Sequence, residues 1–432
     1  MIKRSLMLLC IFASCTFIFA VNDEGIKLNV DVKAKKNEKL GLKIVVVGPY
    51  NKLLKQIVPV MQDDLTFSGQ FKVYTQHYKG IVTKKGIVSL ASSDCTLGVF
   101  LTAEKDNAIG CRIYDLEYAA MIKGIGYTLK GGDPRGWAHN VCDLIWPVLT
   151  NEPGFFSTKL VYCKEQKRLG KKPYRHVYIA DYNGKNEQLL VGTPTVNVAP
   201  RWNNHLLFPM VLYSEHTNRN VRLMAVSMEK KRKIVSNFEG LNILSAFSPD
   251  GKKFAYCASR GDGSCQIYVY EKGALKRLTD TGNNICPTFA DNGKTIYFCS
   301  DAQYGRPQLY KYDLEGNNKE RVSQGGFEMS TAYCEKKGLL AYAKKVRGLM
   351  QLFLYDPKKK SHTQVTFGPG SKSECCWSPC GNYLVFAVAT RTKSCLVTIN
   401  VLTGQKRSIT KREDNCYYPS WSPLYEQYPE VA

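Results

Sequence analysis

Cysteine is the side chain most able to do chemistry here, with sixteen copies in 432 residues. Cys10 and Cys15 lie in an apolar N-terminal stretch, and the other fourteen could pair as disulfides in an oxidising compartment. Several sit inside apolar strand patterns instead, such as Cys257 in Phe254-Ala255-Tyr256-Cys257 and Cys299 in Ile296-Tyr297-Phe298-Cys299. That placement predicts buried thiols acting as small hydrophobes. Cys375, Cys376 and Cys380 lack CxxC spacing and a neighbouring histidine and flank a tight turn, which argues against zinc. The six histidines are dispersed without HxxxH or HExxH spacing, so neither a metal nor any other cofactor is expected.

Catalysis by a nucleophile is equally unsupported, because no GxSxG elbow occurs and no hydrolase-sized region lies outside the repeats described below. Asp250, Asp291 and Asp313 fall in turns or at equivalent repeat positions, which makes them structural first. Asp262, between Gly261 and Gly263, reads as a loop tip and not as a calcium ligand set. His139 and Asp143 are a tempting pair but read as a structural set at a domain junction. The protein is expected not to be an enzyme.

These residues are positioned by a repeat. Aromatic residues stand before turns at Trp202, Phe247, Phe289, Tyr333, Trp377 and Trp421, at intervals of 45, 42, 44, 44 and 44 residues. The turns share a chemistry, as in Phe247-Ser248-Pro249-Asp250-Gly251 and Trp377-Ser378-Pro379-Cys380-Gly381. There Pro presets φ and Gly accepts a positive φ. Apolar runs follow, such as Leu340-Ala341-Tyr342 and Leu384-Val385-Phe386, and alternating runs such as Ile267-Tyr268-Val269-Tyr270 come half a repeat later. About 40–45 residues per unit of four short strands is the length of a propeller blade. The expectation is an all-β six-bladed β-propeller over residues 153–432, preceded by a small α/β N-terminal domain over 40–152.

In the N-terminal domain, Leu42 to Gly48 reads as a buried strand. Leu53, Leu54, Ile57, Val60, Met61 and Leu65 mark one helix, which Pro59 should kink or start late. A second helix is expected over Trp137 to Leu149. Residues 1–20, with Lys3 and Arg4 before an apolar run, read as a cleaved signal peptide, the run being too short to span a membrane. Residues 21–39 are polar and Lys-rich and read as a mobile partner-binding tail. The net charge of +23 is scattered and not gathered into an arm, which disfavours nucleic acid and fits a solvated surface or acidic partners.

Two stretches carry a family resemblance. Arg135 to Asp143, continuing through Leu149-Thr150-Asn151-Glu152-Pro153-Gly154-Phe155-Phe156-Ser157-Thr158-Lys159-Leu160-Val161-Tyr162, resembles the junction of the TolB family. Cys299-Ser300-Asp301 with Tyr304 to Lys311 is similar to a blade of that family, and Pro419-Ser420-Trp421-Ser422-Pro423 to its end. The resemblance implies a periplasmic, non-enzymatic, monomeric adaptor. Its implied partners are the peptidoglycan-associated lipoprotein Pal and the inner-membrane protein TolA, with the outer membrane reached through partners. It also implies support of outer-membrane integrity and division, and in some bacteria protein import. The Pal-contacting loop maps onto Asn283, Asn284, Ile285 and Cys286, just before Pro287-Thr288-Phe289; an Asn-rich turn serving only the backbone is the competing reading. The TolA epitope maps onto the tail, with Ile26, Leu28, Val30, Val32 and Lys33 as its contacts. A stand-alone propeller binding a peptide, glycan or small ligand in its central channel is the alternative.

Overall fold

The computed structural model describes residues 39–424 except 105–107, 130–132, 169, 204–208, 261–262 and 324, together with the backbone of two short strands nearer the N-terminus. Those strands, Cys15–Phe19 and Leu28–Val32, pair antiparallel, Cys15 opposite Val32. The expected tail is therefore extended over Leu28–Val32, where apolar residues alternate with polar ones, the pattern of a strand. Most of the expected signal peptide lies outside the described residues. The chain divides into two compact units, residues 1–156 and 157–432.

The first unit is built on a five-stranded mixed sheet. Leu40–Val47 lies between two parallel neighbours, Phe71–Tyr78 and Cys95–Glu104, and the latter continues as an antiparallel meander through Ala108–Asp115 and Ala120–Thr128. Helix α1 (Lys52–Phe67) begins where the Asn51 side chain accepts from Leu54 N–H at 3.0 Å. It continues on both sides of Pro59, whose side chain is exposed, so the proline neither starts nor ends it. A short helix, α2 (Lys84–Val88), is capped by Thr83. Helix α3 (Pro134–Thr150) begins a turn earlier than its apolar pattern suggests. Asp133 accepts from Gly136 N–H at 2.7 Å and Pro134 stands in the first turn, where its missing N–H costs nothing. Phe155 and Phe156, expected in the propeller, pack edge-on against Trp146 with ring centroids at 6.1 and 5.1 Å. They therefore close the core of this unit.

The second unit is an all-β propeller. Four of its sheets have four antiparallel strands each, starting with Asn242–Phe247, Asn284–Ala290, Glu328–Cys334 and Ser371–Trp377. A fifth sheet has eight strands and contains Val196–Trp202, Lys171–Asp181, Lys159–Arg168 and the last strand, Cys416–Trp421. Cys416–Trp421 pairs antiparallel with Lys159–Arg168, so the final strand completes the sheet begun by the first strands of the unit. The starting strand of each sheet touches that of the next. The series runs from Val196–Trp202 through Ser371–Trp377 to Cys416–Trp421, which touches Val196–Trp202 again.

The turn chemistry is as the sequence suggests. Gly251 donates to Ser248 O at 2.9 Å with φ +68°, and Gly381 donates to Ser378 O at 2.9 Å with φ +75°. Between the sheets lie apolar faces such as Ala255, Cys257, Ile267, Phe289, Ile296 and Phe298, all buried in one cluster. Cys257 and Cys299 are fully buried, as expected of thiols used as small hydrophobes.

Candidate partner-binding site

The six starting strands share one construction, visible three and five residues before each landmark aromatic. Each contains a bulge, where the register slips between Val198 and Arg201, Ile243 and Ala246, Ile285 and Thr288, Met329 and Ala332, Ser373 and Cys376, and Tyr417 and Ser420. Within each slip one non-glycine residue is left-handed: Ala199, Leu244, Cys286, Ser330, Glu374 and Tyr418, with φ of 51°, 54°, 55°, 60°, 58° and 53°. Single left-handed residues of this kind cost on the order of 1–3 kcal/mol and persist only where the surroundings impose them. A bulge also leaves ladder groups without their strand partner, and here side chains of the adjacent sheet take several of them. Tyr418 N–H donates to Glu374 Oε2 at 2.6 Å, Trp421 N–H to Cys376 Sγ at 3.3 Å and Tyr333 N–H to Thr288 Oγ1 at 3.4 Å. Sulfur thus does the work of a hydroxyl at one of these seams.

Two residues further back, at the entry of each strand, stand Asn197, Asn242, Asn284, Glu328, Lys372 and Cys416, all buried. Asn284 Nδ2 donates to Gln266 Oε1 and Thr281 O, both at 2.9 Å, and Asn242 Nδ2 to Val221 O and Phe238 O, both at 2.8 Å. Asn197 Nδ2 donates to Arg175 O at 2.7 Å. Each ties down the loop that delivers its strand. For Asn284 this is the turn reading: its amide nitrogen is spent inside the chain. Asn283 is exposed, but its N–H and Nδ2 donate to Asp301 at 2.6 and 3.0 Å while its Oδ1 accepts from Cys265 N–H at 3.1 Å. Ile285 and Cys286 are partly buried, Ile285 packing into apolar clusters on both sides. The four residues are therefore brought together, with Asn283 the most accessible of them. Of the tail contacts, Ile26 and Lys33 lie outside the described residues, and Leu28, Val30 and Val32 are in the strand Leu28–Val32.

Around the bulges the site is charged. Burial pushes the Glu374 carboxyl up to about 7, opposed by the Tyr418 N–H and by the Arg201 and Arg175 guanidinium groups. Arg201 Nη1 donates to Pro200 O at 2.9 Å and reaches Pro419 O at 3.5 Å, bridging the first and last of these strands. Burial pushes the Cys286 thiol up to about 11 and the Cys375 thiol up to about 12, which keeps both protonated and unreactive. Cys375 donates to Ser330 O at 3.3 Å, and Cys380 lies 3.2 Å from Ser378 Oγ.

The other candidates have structural partners. Asp250 Oδ1 accepts from Ser248 Oγ and Lys252 N–H at 2.6 and 3.1 Å, and Asp313 Oδ1 from Glu315 and Gly316 N–H at 3.0 and 3.1 Å. Asp291 accepts from the Tyr333 hydroxyl at 3.3 Å. In the first unit, buried His139 and Asp64 meet at 2.7 Å and tie α3 to α1, while Asp143 Oδ1 accepts from Phe156 N–H at 2.7 Å. An apolar cleft of about 820 Å³, lined by Leu212, Ile234, Phe247, Phe254, Tyr256 and Leu275, lies between two sheets. Nothing in the sequence pattern pointed to it, because its lining comes from two repeats.

Residues 146–425 match the TolB beta propeller domain model. Among curated relatives, Tol-Pal system protein TolB of Gluconobacter oxydans is 24% identical over 53% of this chain and 50% of its own length. The protein of the same name from Francisella tularensis is 25% identical over 61% of this chain and 62% of its own length. The chain thus spans half to about six tenths of these relatives. The crystal structure of TolB from Acinetobacter baumannii superposes with a TM-score of 0.76 at 20% identity, covering 89% of this chain and 97% of that one, which shows a shared fold. With the domain model matching well over half of its residues, the chain belongs to the TolB family.

Proposed function

We propose that the protein is a non-catalytic periplasmic adaptor of a Tol-Pal envelope system. In this reading residues 1–20 are removed on export, and a six-bladed propeller binds a Pal-like lipoprotein through loops around one mouth. Residues 21–39 bind a TolA-like inner-membrane protein. The protein then reaches the outer membrane through its partners and supports envelope integrity and cell division. The match of residues 146–425 to the TolB propeller carries the reading. The count of six blades is supported by the closed series of starting strands, and by the single parallel pair, Val196 with Arg175, that joins the two halves of the eight-stranded sheet.

The test is a crosslinking pull-down from envelope extracts using the full chain, a chain lacking residues 21–39, and Asn283→Lys. The full chain should capture both partners and the truncated chain should lose only the inner-membrane one. Asn283→Lys should weaken capture of the lipoprotein by at least about 2 kcal/mol if the residue is central. Recovery of neither partner by the full chain would refute the reading. The alternative is a ligand in the central channel. Saturable binding of a small ligand without any protein partner would support it.

A further inference from the structure

The apolar cleft of about 820 Å³ lies where two neighbouring propeller sheets face each other, and the strand ladders show how its walls are built. On one wall Leu212, in the strand Met210–His216, stands opposite Ala225, and Ala225 stands opposite Lys233 in the outermost strand, Arg232–Ser236. The other wall is a row of Phe247 opposite Phe254, Phe254 opposite Tyr270 and Tyr270 opposite Leu275. All of these residues line the cleft.

The cleft exists because the first of these rows is underfilled. Two sheets further on, Tyr297 holds the position of Leu212, each lying one residue past the partner of its landmark aromatic. Tyr297 stacks on Tyr333, the landmark equivalent to Phe247, with ring centroids at 5.8 Å. Its row continues through Lys311 to Glu320, whose charges meet at 3.9 Å. The row of Leu212, Ala225 and Lys233 is smaller in its depth, and it ends in an exposed lysine with no ion pair among the described residues. Lys231 lines the cleft as well, near enough to Glu229 to act on that carboxyl, while Glu271 is engaged by Lys253 at 3.5 Å. Ile234 and Tyr270 keep 46% and 38% of their surface exposed beside this opening.

We propose that this cleft takes up a monomeric fatty carboxylate, with its chain between the two rows and its head at Lys233. The volume falls in the range of small-molecule sites, roughly 300–1,000 Å³. Apolar walls suit an acyl chain, and the lysine at the outer end supplies the charge that the Tyr297 row cancels within itself. A fatty carboxylate brings no further polar group into the cleft, whereas a peptide would bring an amide at every residue that needs a partner. The site lies away from residues 283–286, so its occupancy is independent of the partner reading above.

The full chain is titrated calorimetrically with octanoate, decanoate and dodecanoate, each below its micelle concentration, and with decanol. Saturable uptake of a single chain is expected. It should tighten by at least about tenfold from octanoate to dodecanoate, since each fully buried methylene favours binding roughly fourfold. Lys233→Glu, a change at an exposed position, should weaken decanoate by about fivefold and leave decanol as it was. Leu212→Tyr restores the Tyr297 arrangement against Phe247 and should abolish uptake of every chain without lowering the thermal midpoint. That loss also separates this site from a ligand in the central channel, which the change would leave bound. Absence of saturable uptake, affinity indifferent to chain length, or uptake unchanged in Leu212→Tyr would overturn the proposal. If Leu212→Tyr does not fold, Lys233→Glu decides alone: an equal effect on decanoate and decanol would overturn the assignment of the head. In a last arm the protein is sedimented with phosphatidylglycerol vesicles, and binding to these without uptake of monomers would overturn the proposal in favour of a lipid surface.

Discussion

Five of the six entry positions of the propeller strands fall into two sets, with Cys416 outside both. At Asn197, Asn242 and Asn284 a neutral amide captures the incoming loop; at Glu328 and Lys372 a charge does the same job. Lys372 Nζ donates to Phe367 O, Gly368 O and Pro369 O at 3.2, 2.7 and 2.8 Å. Glu328 Oε2 accepts from Leu309 N–H at 3.2 Å and from the Ser323 hydroxyl, and Oε1 meets Lys344 Nζ at 3.2 Å. The amide set holds its loops mainly by donating. The charged set has split the task between an all-donor and an all-acceptor side chain, and each must offset the desolvation of its charge. Topology therefore specifies that a loop be held, and leaves open which chemistry holds it.

Breaking the charged set should cost most. Glu328→Ala leaves Lys344 facing a buried gap and removes the acceptor for Leu309 N–H, a loss of about 3–5 kcal/mol in urea unfolding, as for other broken buried pairs. Lys372→Met keeps the volume but strands three carbonyls, and a loss of about 2–3 kcal/mol is expected by the same measurement. In the amide set, Asn284→Ala should cost only about 1–2 kcal/mol, while Asn284→Asp should cost more, because a carboxylate would face Gln266 Oε1 and the Thr281 carbonyl. If Asp proves milder than Ala there, the donor-based account of the amide set fails.

The last effect is of the opposite sign and concerns Glu374, whose carboxyl lies at a bulge and not at an entry. Its folded value, near 7, stands above its ordinary 4.5, so the folded protein keeps a proton that the unfolded chain has released across that window. Stability from this group is therefore full below about 4.5 and is lost as pH rises through 7. Glu374→Gln retains an acceptor for Tyr418 N–H and should remove that slope, raising stability at pH 8 by about 1–3 kcal/mol. Parallel stability-versus-pH curves for the two proteins would contradict it.

Much of this architecture is legible in the sequence. The landmark aromatics repeat because each packs beside its bulge, and the Pro-Gly turns repeat because their φ values do. The buried role of Asn284 was legible too, had the position five residues before each landmark been read across repeats, where polar residues recur. Read alone, Asn283-Asn284 looks like a turn tip. The left-handed bulge residues have no such signature: Ala, Leu, Cys, Ser, Glu and Tyr share no preference for positive φ. Their conformation is imposed by neighbouring strands, so no local pattern announces it. Helix α1 starts well ahead of Pro59 because the core that Leu54, Ile57, Met61 and Leu65 fill outweighs the local preference of the proline.

Closure by the last strand sets a timetable for the molecule. The Lys159 N–H bond to Ser422 Oγ spans 263 residues, as does that from Trp421 Nε1 to Thr158. Until a ribosome has passed residue 422, the first sheet lacks its innermost strand, and the ring stays an open crescent. Contacts of such long separation form late and slowly. A chain emerging N-terminus first thus remains without its finished ring until nearly all of its propeller has been made.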